Sequence, residues 1–177
     1  ACACGDAAVI RLLVLMLLLA AGAAQAARPF DPFSSTAIEP KLGTKLPTEG
    51  VFLDDAGRQV TLADYLGKVP VLLAPVDYGC VNICGVTLAG LFAALDQMAL
   101  EPGAYQVLAA SMDPRDGVAQ ARDERAKSLA RFGRRGAAEV VHFLVGEGGA
   151  ARTLLEALGF EYAYDPAIDQ YAHPAAV

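Results

Sequence analysis

The segment Lys68-Val-Pro-Val-Leu-Leu-Ala-Pro-Val-Asp-Tyr-Gly-Cys80-Val-Asn-Ile-Cys84-Gly85 joins an unbroken apolar run to a pair of cysteines. Val71 to Ala74, introduced by Lys68 and Pro70, has the character of a short strand covered on both faces. Past the cysteines, Leu88, Leu91, Phe92, Leu95 and Met98 recur along one side of a helix expected from about Gly85 to Ala99. The cysteines therefore sit where a buried strand hands over to a helix. Upstream, Val51 and Leu53 alternate with polar neighbours, Asp54 to Gly57 make a turn, and Val60 and Leu62 resume the alternation, which predicts a hairpin. Downstream come a strand at Tyr105 to Met112, ended by Asp113-Pro114, a charged amphipathic helix at Val118 to Phe132, and a strand at Val140 to Val145. A helix from Ala150 to Leu158 then closes at Gly159. This alternation predicts an α/β domain with a parallel or mixed sheet and helices on both faces. In the tail, Glu161 to Val177, His173 falls in an irregular stretch, and Ala175 to Val177 read as the opening of a strand cut short.

A chain of 177 residues holds one domain with a sizeable core, and hence one site. Its one dense apolar run, Leu12 to Ala21, follows Arg11 and precedes Ala24 and Ala26. About ten residues cannot cross a hydrocarbon layer that needs about twenty, but they fit the middle of a secretory signal with an A-x-A cleavage site. The expected organisation is a signal peptide at 1–26, or an uncleaved amino-terminal anchor, then an extended linker at 27–50 rich in proline, then the domain at 51–177. Either form puts the domain outside the cytoplasm, in a bacterial periplasm, with a membrane tether if the segment is kept. Cys2 and Cys4 precede the apolar run and receive no role. The net charge of -6 argues against nucleic acid, which needs clustered cations. The tightest basic group, Arg131, Arg134 and Arg135, reads as the positive end of a helix.

Cys80 and Cys84 are the sharpest chemical feature. A helix amino terminus favours a thiolate, so a lowered thiol pKa is expected there. With three residues between them, both sulfurs can reach one ion, or close into a disulfide after modest adjustment. A structural disulfide across so short a loop would stabilise only weakly, which favours chemistry. Two thiolates select soft cations, monovalent copper or zinc, and a third ligand is wanted. The chain has two histidines. His142, between Val141 and Phe143, reads as a half-buried strand residue; His173, in the irregular tail at the start of the cut strand, reads on its own as an ordinary surface histidine, from a position that allows approach to the cysteine loop without showing it.

Five strings in order resemble the Sco/SenC family: Gly67-Lys68, Tyr78 with Cys80 to Cys84, Ser111-Met-Asp-Pro-Arg-Asp116, Phe143-Leu-Val-Gly146 and Tyr171-Ala-His173. The likeness runs from about Leu46 to the end. It implies a thioredoxin-like fold and one copper ion, Cu(I) or Cu(II), held by Cys80, Cys84 and His173. It also implies assistance to the binuclear copper site of cytochrome c oxidase. The implied partners are subunit II of that oxidase, other copper carriers and thiol reductants. Cys80 and Cys84 would double as a redox pair. Asp113 would support the site from outside the ligand set or touch a partner, although an Asp-Pro turn explains it equally well. The chain departs from the family in having Val81 where many relatives carry proline, and His142 where an aromatic residue is usual. The family's final hairpin and helix are expected to be missing after Val177. The expected function is a carrier rather than an enzyme. A thiol-disulfide oxidoreductase without obligatory metal and a copper or redox sensor are the alternatives. Spacing by three residues rather than two favours metal over reductase chemistry.

Overall fold

The apolar runs do form strands covered on both faces. In this computed structural model the described residues are Val9, Arg11, 30–80, 84–98 and 100–177. The segment read as a signal or anchor, apart from Val9 and Arg11, lies outside them, as do Cys2, Cys4 and residues 81–83. The chain divides into Ala1–Phe30 and Asp31–Val177, and the fold is that of the second unit. Among the described residues, no helix is long and apolar enough to cross a membrane.

The strands in chain order are β1 (Ala37–Ile38), β2 (Val51–Asp54), β3 (Gln59–Thr61), β4 (Val71–Val76), β5 (Gln106–Ser111), β6 (Val141–Gly146), β7 (Phe160–Glu161), β8 (Ala163–Asp165) and β9 (Gln170–Ala172). The helices are α1 (Cys84–Gln97), α2 (Val118–Phe132), the single turn α3 (Ala137–Val140) and α4 (Ala150–Leu158). A mixed five-stranded sheet runs β3-β2-β6-β5-β4. Its β4, β5 and β6 are parallel, and β2 is antiparallel to both β6 and β3. This is the α/β architecture expected of the strand and helix rhythm.

Alternation along the strands sorts the core into two layers. Ala74, Val76, Val107, Ala109, Val141, Phe143 and Val145 face α1 and α2, meeting Leu88, Phe92, Leu95 and Phe132. Phe52, Leu108 and Leu144 face the other way onto Leu62, Tyr65, Ala151 and Leu154. Each of the large buried side chains contributes about 1.5–3 kcal/mol by leaving water. A third cluster, Met112, Leu155, Phe160 and Tyr162, with Tyr171 packed against it, carries the carboxy-terminal tail.

Several boundaries differ from expectation. β4 continues through Pro75 to Val76. It lies at the sheet edge, where a residue lacking an amide hydrogen is tolerated. Met98, expected on the packed side of α1, lies past its end and is 48% exposed. α3 went unread because one turn leaves no periodicity. Ala37 and Ile38, inside the stretch read as a linker, pair with Glu161 and Phe160. The tail is more regular than expected, because Ala163, Tyr164 and Asp165 pair with Ala172, Tyr171 and Gln170 as a hairpin. Ala175 to Val177 form no strand. His173 thus follows a strand directly rather than opening one.

Gly159 shows how tightly this tail is set. It ends α4 in the left-handed region, φ 77°, and its carbonyl accepts the Glu39 amide at 2.8 Å. A Cβ added there would stand 1.8 Å from the Glu39 carbonyl oxygen, whereas at Gly133, which ends α2 at φ 64°, it would meet open space. Gly133→Ala should cost only the left-handed strain of about 1–2 kcal/mol. Gly159→Ala should cost clearly more, because the Glu39 backbone just after β1 must also move. Urea denaturation of the two variants checks this, and equal losses would contradict it.

Candidate metal centre

Cys84 is the first residue of α1 and the first of its buried stripe, with Leu88, Phe92 and Leu95. That position makes it part of the hydrophobic layer as well as a chemical group, and it is 4% exposed. Cys80 precedes it in the loop after β4, half-buried, and the two cysteines are not joined in a disulfide. The loop is fixed by its own hydrogen bonds. The Cys80 amide donates to the Asp77 carbonyl at 3.1 Å, and the Gly79 amide donates to Asp77 Oδ1 at 2.8 Å. Tyr78, stacked on Phe143, sends its hydroxyl into the sheet within 3.0 Å of the Ala109 and Leu144 carbonyls. Its amide donates to Asp116 Oδ2 at 2.8 Å, which ties the cysteine loop to the segment after β5.

His173 arrives from the other end of the chain. Its Nε2 lies 3.2 Å from Cys84 Sγ, and its Nδ1 lies 2.9 Å from the Pro174 carbonyl oxygen. A carbonyl only accepts, so Nδ1 carries the hydrogen and Nε2 turns its lone pair toward the sulfur. An outer hydrogen bond of this kind fixes the tautomer that a metal-binding imidazole needs. Cys80, Cys84 and His173 offer ligand atoms that all lie within 4.8 Å of one another. The three residues named from the sequence therefore come together in space. His142 does not join them. It stays half-buried on β6 against Tyr65, with ring centroids 4.7 Å apart, and burial followed by Arg125 lowers its pKa.

The expectation of a lowered thiol pKa is corrected for Cys84. Burial raises it far above the ordinary thiol value, the neighbouring Cys80 adds to the rise, and the Asp77 amide, 3.4 Å from the sulfur, only partly opposes it. Desolvation of a thiolate at the first residue of a packed helix outweighs the amide dipoles that the sequence argument relied on. In the metal-free protein this sulfur is a neutral thiol, and a cation must displace its proton.

Asp113 lies outside the cluster. It is 6% exposed, ends β5 in an Asp-Pro turn, and accepts the Arg115 amide at 2.8 Å. Its carboxylate is held bidentately by the Arg115 guanidinium, with Nε at 3.0 and 2.9 Å and Nη2 at 2.6 Å. Asp116, to which the sequence reading gave no role, is buried and takes the Ser111 hydroxyl as well as the Tyr78 amide. Burial still raises its carboxyl pKa. An acidic residue two positions after an Asp-Pro turn was the signal available, but nothing in spacing distinguishes it from a solvated side chain.

The Cys84 shift has a direct consequence. With metal-free, reduced protein at pH 8, a small alkylating reagent should modify Cys80 well before Cys84, as read by peptide mass mapping against time. Equal rates, or faster labelling of Cys84, would contradict burial as the dominant influence.

No protein-family model matches the chain, and no curated protein matches it by sequence. Solved structures do match. An Aquifex aeolicus VF5 protein, provisionally described as an electron transfer protein, is 20% identical over 76% of this chain and 75% of its own, with a TM-score of 0.64. Arabidopsis thaliana ScoI, solved with copper bound, is 21% identical over 71% of this chain and 74% of its own, with a TM-score of 0.56. Bradyrhizobium japonicum ScoI, also with copper bound, is 21% identical over 71% of this chain and 76% of its own, at 0.55. At these identities the likeness concerns the fold, and the fold of this chain is the thioredoxin-like fold of the Sco structures.

Proposed function

We propose that this protein is a copper carrier that takes one copper ion between Cys80, Cys84 and His173 and passes it on. The observation that carries the reading is the convergence of two sulfurs and one imidazole nitrogen within 4.8 Å. Thiolates are soft donors that favour Cu(I), and imidazole accommodates copper as well. A three-donor set satisfies monovalent copper, whereas structural zinc sites are closed by four protein ligands. The fold, shared with structures solved with copper bound, supports the same reading.

The half-buried Cys80 and His173 leave the site an outward side for exchange, while Cys84 is buried behind them. A carrier needs this combination, because an incoming thiol or imidazole can replace the outer donors one at a time. The resemblance noted in the sequence assigns the receiver as subunit II of cytochrome c oxidase, and thiol reductants as partners that keep Cys80 and Cys84 able to bind. The apolar run Leu12 to Ala21, with Ala24 and Ala26 behind it, supports a domain outside the cytoplasm, in the periplasm, with an amino-terminal signal or tether. Asp113 supports the site at one remove, through Arg115.

Anaerobic titration of the reduced protein with Cu(I), competed against a chelator of known affinity, should give one ion per chain. Binding should vanish in the Cys80→Ala, Cys84→Ala double variant. Removing the imidazole in His173→Ala should weaken retention by more than roughly tenfold, the lower bound for loss of a mere outer partner of a metal ligand. Its rate of disulfide formation under a mild oxidant should stay near wild type. Tight one-to-one binding that survives loss of both cysteines would refute the site.

A further inference from the structure

His173 is delivered by an element with little backbone anchorage. It follows β9, and β8 and β9 pair only with each other among the described residues. An isolated two-stranded ribbon is marginal in water. Its direction relative to the sheet must therefore be set by side chains. At its base, Tyr171 packs on Tyr162, with centroids 5.5 Å apart, and on the cluster of Met112 and Phe160. At its tip the contacts are different in kind. A cleft of about 440 Å³, lined in part by Asp77, Gly79, Asp113, Ile168 and Asp169, separates the tip from the cysteine loop. An arginine side chain crosses it.

That side chain is Arg115. Its Nε and Nη2 grip the buried Asp113 carboxylate, and its Nη1 donates to Asp169 in the turn of the ribbon. The Tyr164 hydroxyl donates to the same Asp169 oxygen, and the guanidinium carbon lies 5.2 Å above the Tyr164 ring. Asp169 occupies the left-handed region at φ 52°, the one non-glycine residue of the described chain to do so. A strained backbone of this sort persists only where its surroundings hold it.

We infer that Arg115 is a positioning residue: it clamps the β8–β9 ribbon to the end of β5 and so holds the His173 imidazole against the cysteine sulfurs. The inference deepens the copper reading and rests on it for its metal-binding arm alone. Asp113 thereby acquires its part, as the buried anchor for the arginine.

The clamp is half exposed, 51% at Arg115 and 72% at Asp169, so its loss should be a modest one. Exposed pairs of this type correspond to roughly two- to fivefold in an equilibrium. Two variants test it. Arg115→Ala removes the clamp, and Asp169→Asn weakens its outer half while leaving the Asp113–Arg115 pair intact, which guards against a general fold defect. In the metal-free protein, amide hydrogen exchange in Ala163–Asp165 and Gln170–Ala172 should quicken by about two- to fivefold in both variants. Cu(I) affinity of the full chain should fall by a similar factor, and adding Arg115→Ala to His173→Ala should cause no further loss. Unchanged exchange in both variants would overturn the inference. So would an Arg115→Ala loss of affinity that persists in the His173→Ala background, since the arginine would then act on the thiols and not through the imidazole. If the wild-type chain binds no copper, the copper reading fails by itself, and the exchange measurement still decides whether the clamp holds the ribbon.

Discussion

The contact between Cys84 Sγ and His173 Nε2, 3.2 Å across a separation of 89 residues, is the constraint to which the rest of the site answers. It requires a thiol at the first residue of a helix and an imidazole at the end of a ribbon to be carried to one point by different parts of the fold. The sheet supplies the first half. β4 ends at Val76, the loop is pinned through Tyr78 and Asp116, and α1 docks by a stripe of which Cys84 is the first member. The third hydrophobic cluster and the Arg115 bridge supply the second half.

Burial gives this pair of donors its chemical character. A thiolate held at Cys84 without a cation beside it would face an apolar layer, and the cost of that desolvation keeps the proton on sulfur. A soft cation reverses the balance by supplying the missing positive charge, so proton release accompanies binding and retention falls as the medium becomes more acidic. Cys80, less buried, and His173, close to the surface, are the donors an exchanging ligand meets first. Cys84 is the donor it meets last. On the proposed carrier reading, that gradient from exposed to buried lets a cargo be held firmly and still be given up by stepwise ligand exchange.

Much of the fold was legible because its core strands and helices carry strong periodicity. The helix Val118–Phe132 was read with its observed bounds, and the strands before and after it to within a residue. The ribbon at Ala163–Ala172 was not read, since its three-residue strands are only half-buried and leave no clean alternation. Cys80, Cys84 and His173 were legible as residue types in suggestive places, but only three dimensions join the histidine to the sulfurs. The thiol pKa of Cys84 was not legible, because a helix terminus is visible in a pattern of residues, whereas the extent of burial around its first residue is not. Arg115 and Asp169 were invisible for a simpler reason: each is an ordinary surface charge until the ribbon brings them together.

X-ray absorption at the copper edge of the Cu(I)-loaded protein reads the proposed mixed donor set directly. Two sulfur scatterers and one imidazole nitrogen around each copper are predicted, with the nitrogen contribution lost in His173→Ala. A site with sulfur alone in the wild-type protein, or with nitrogen and oxygen donors only, would contradict it.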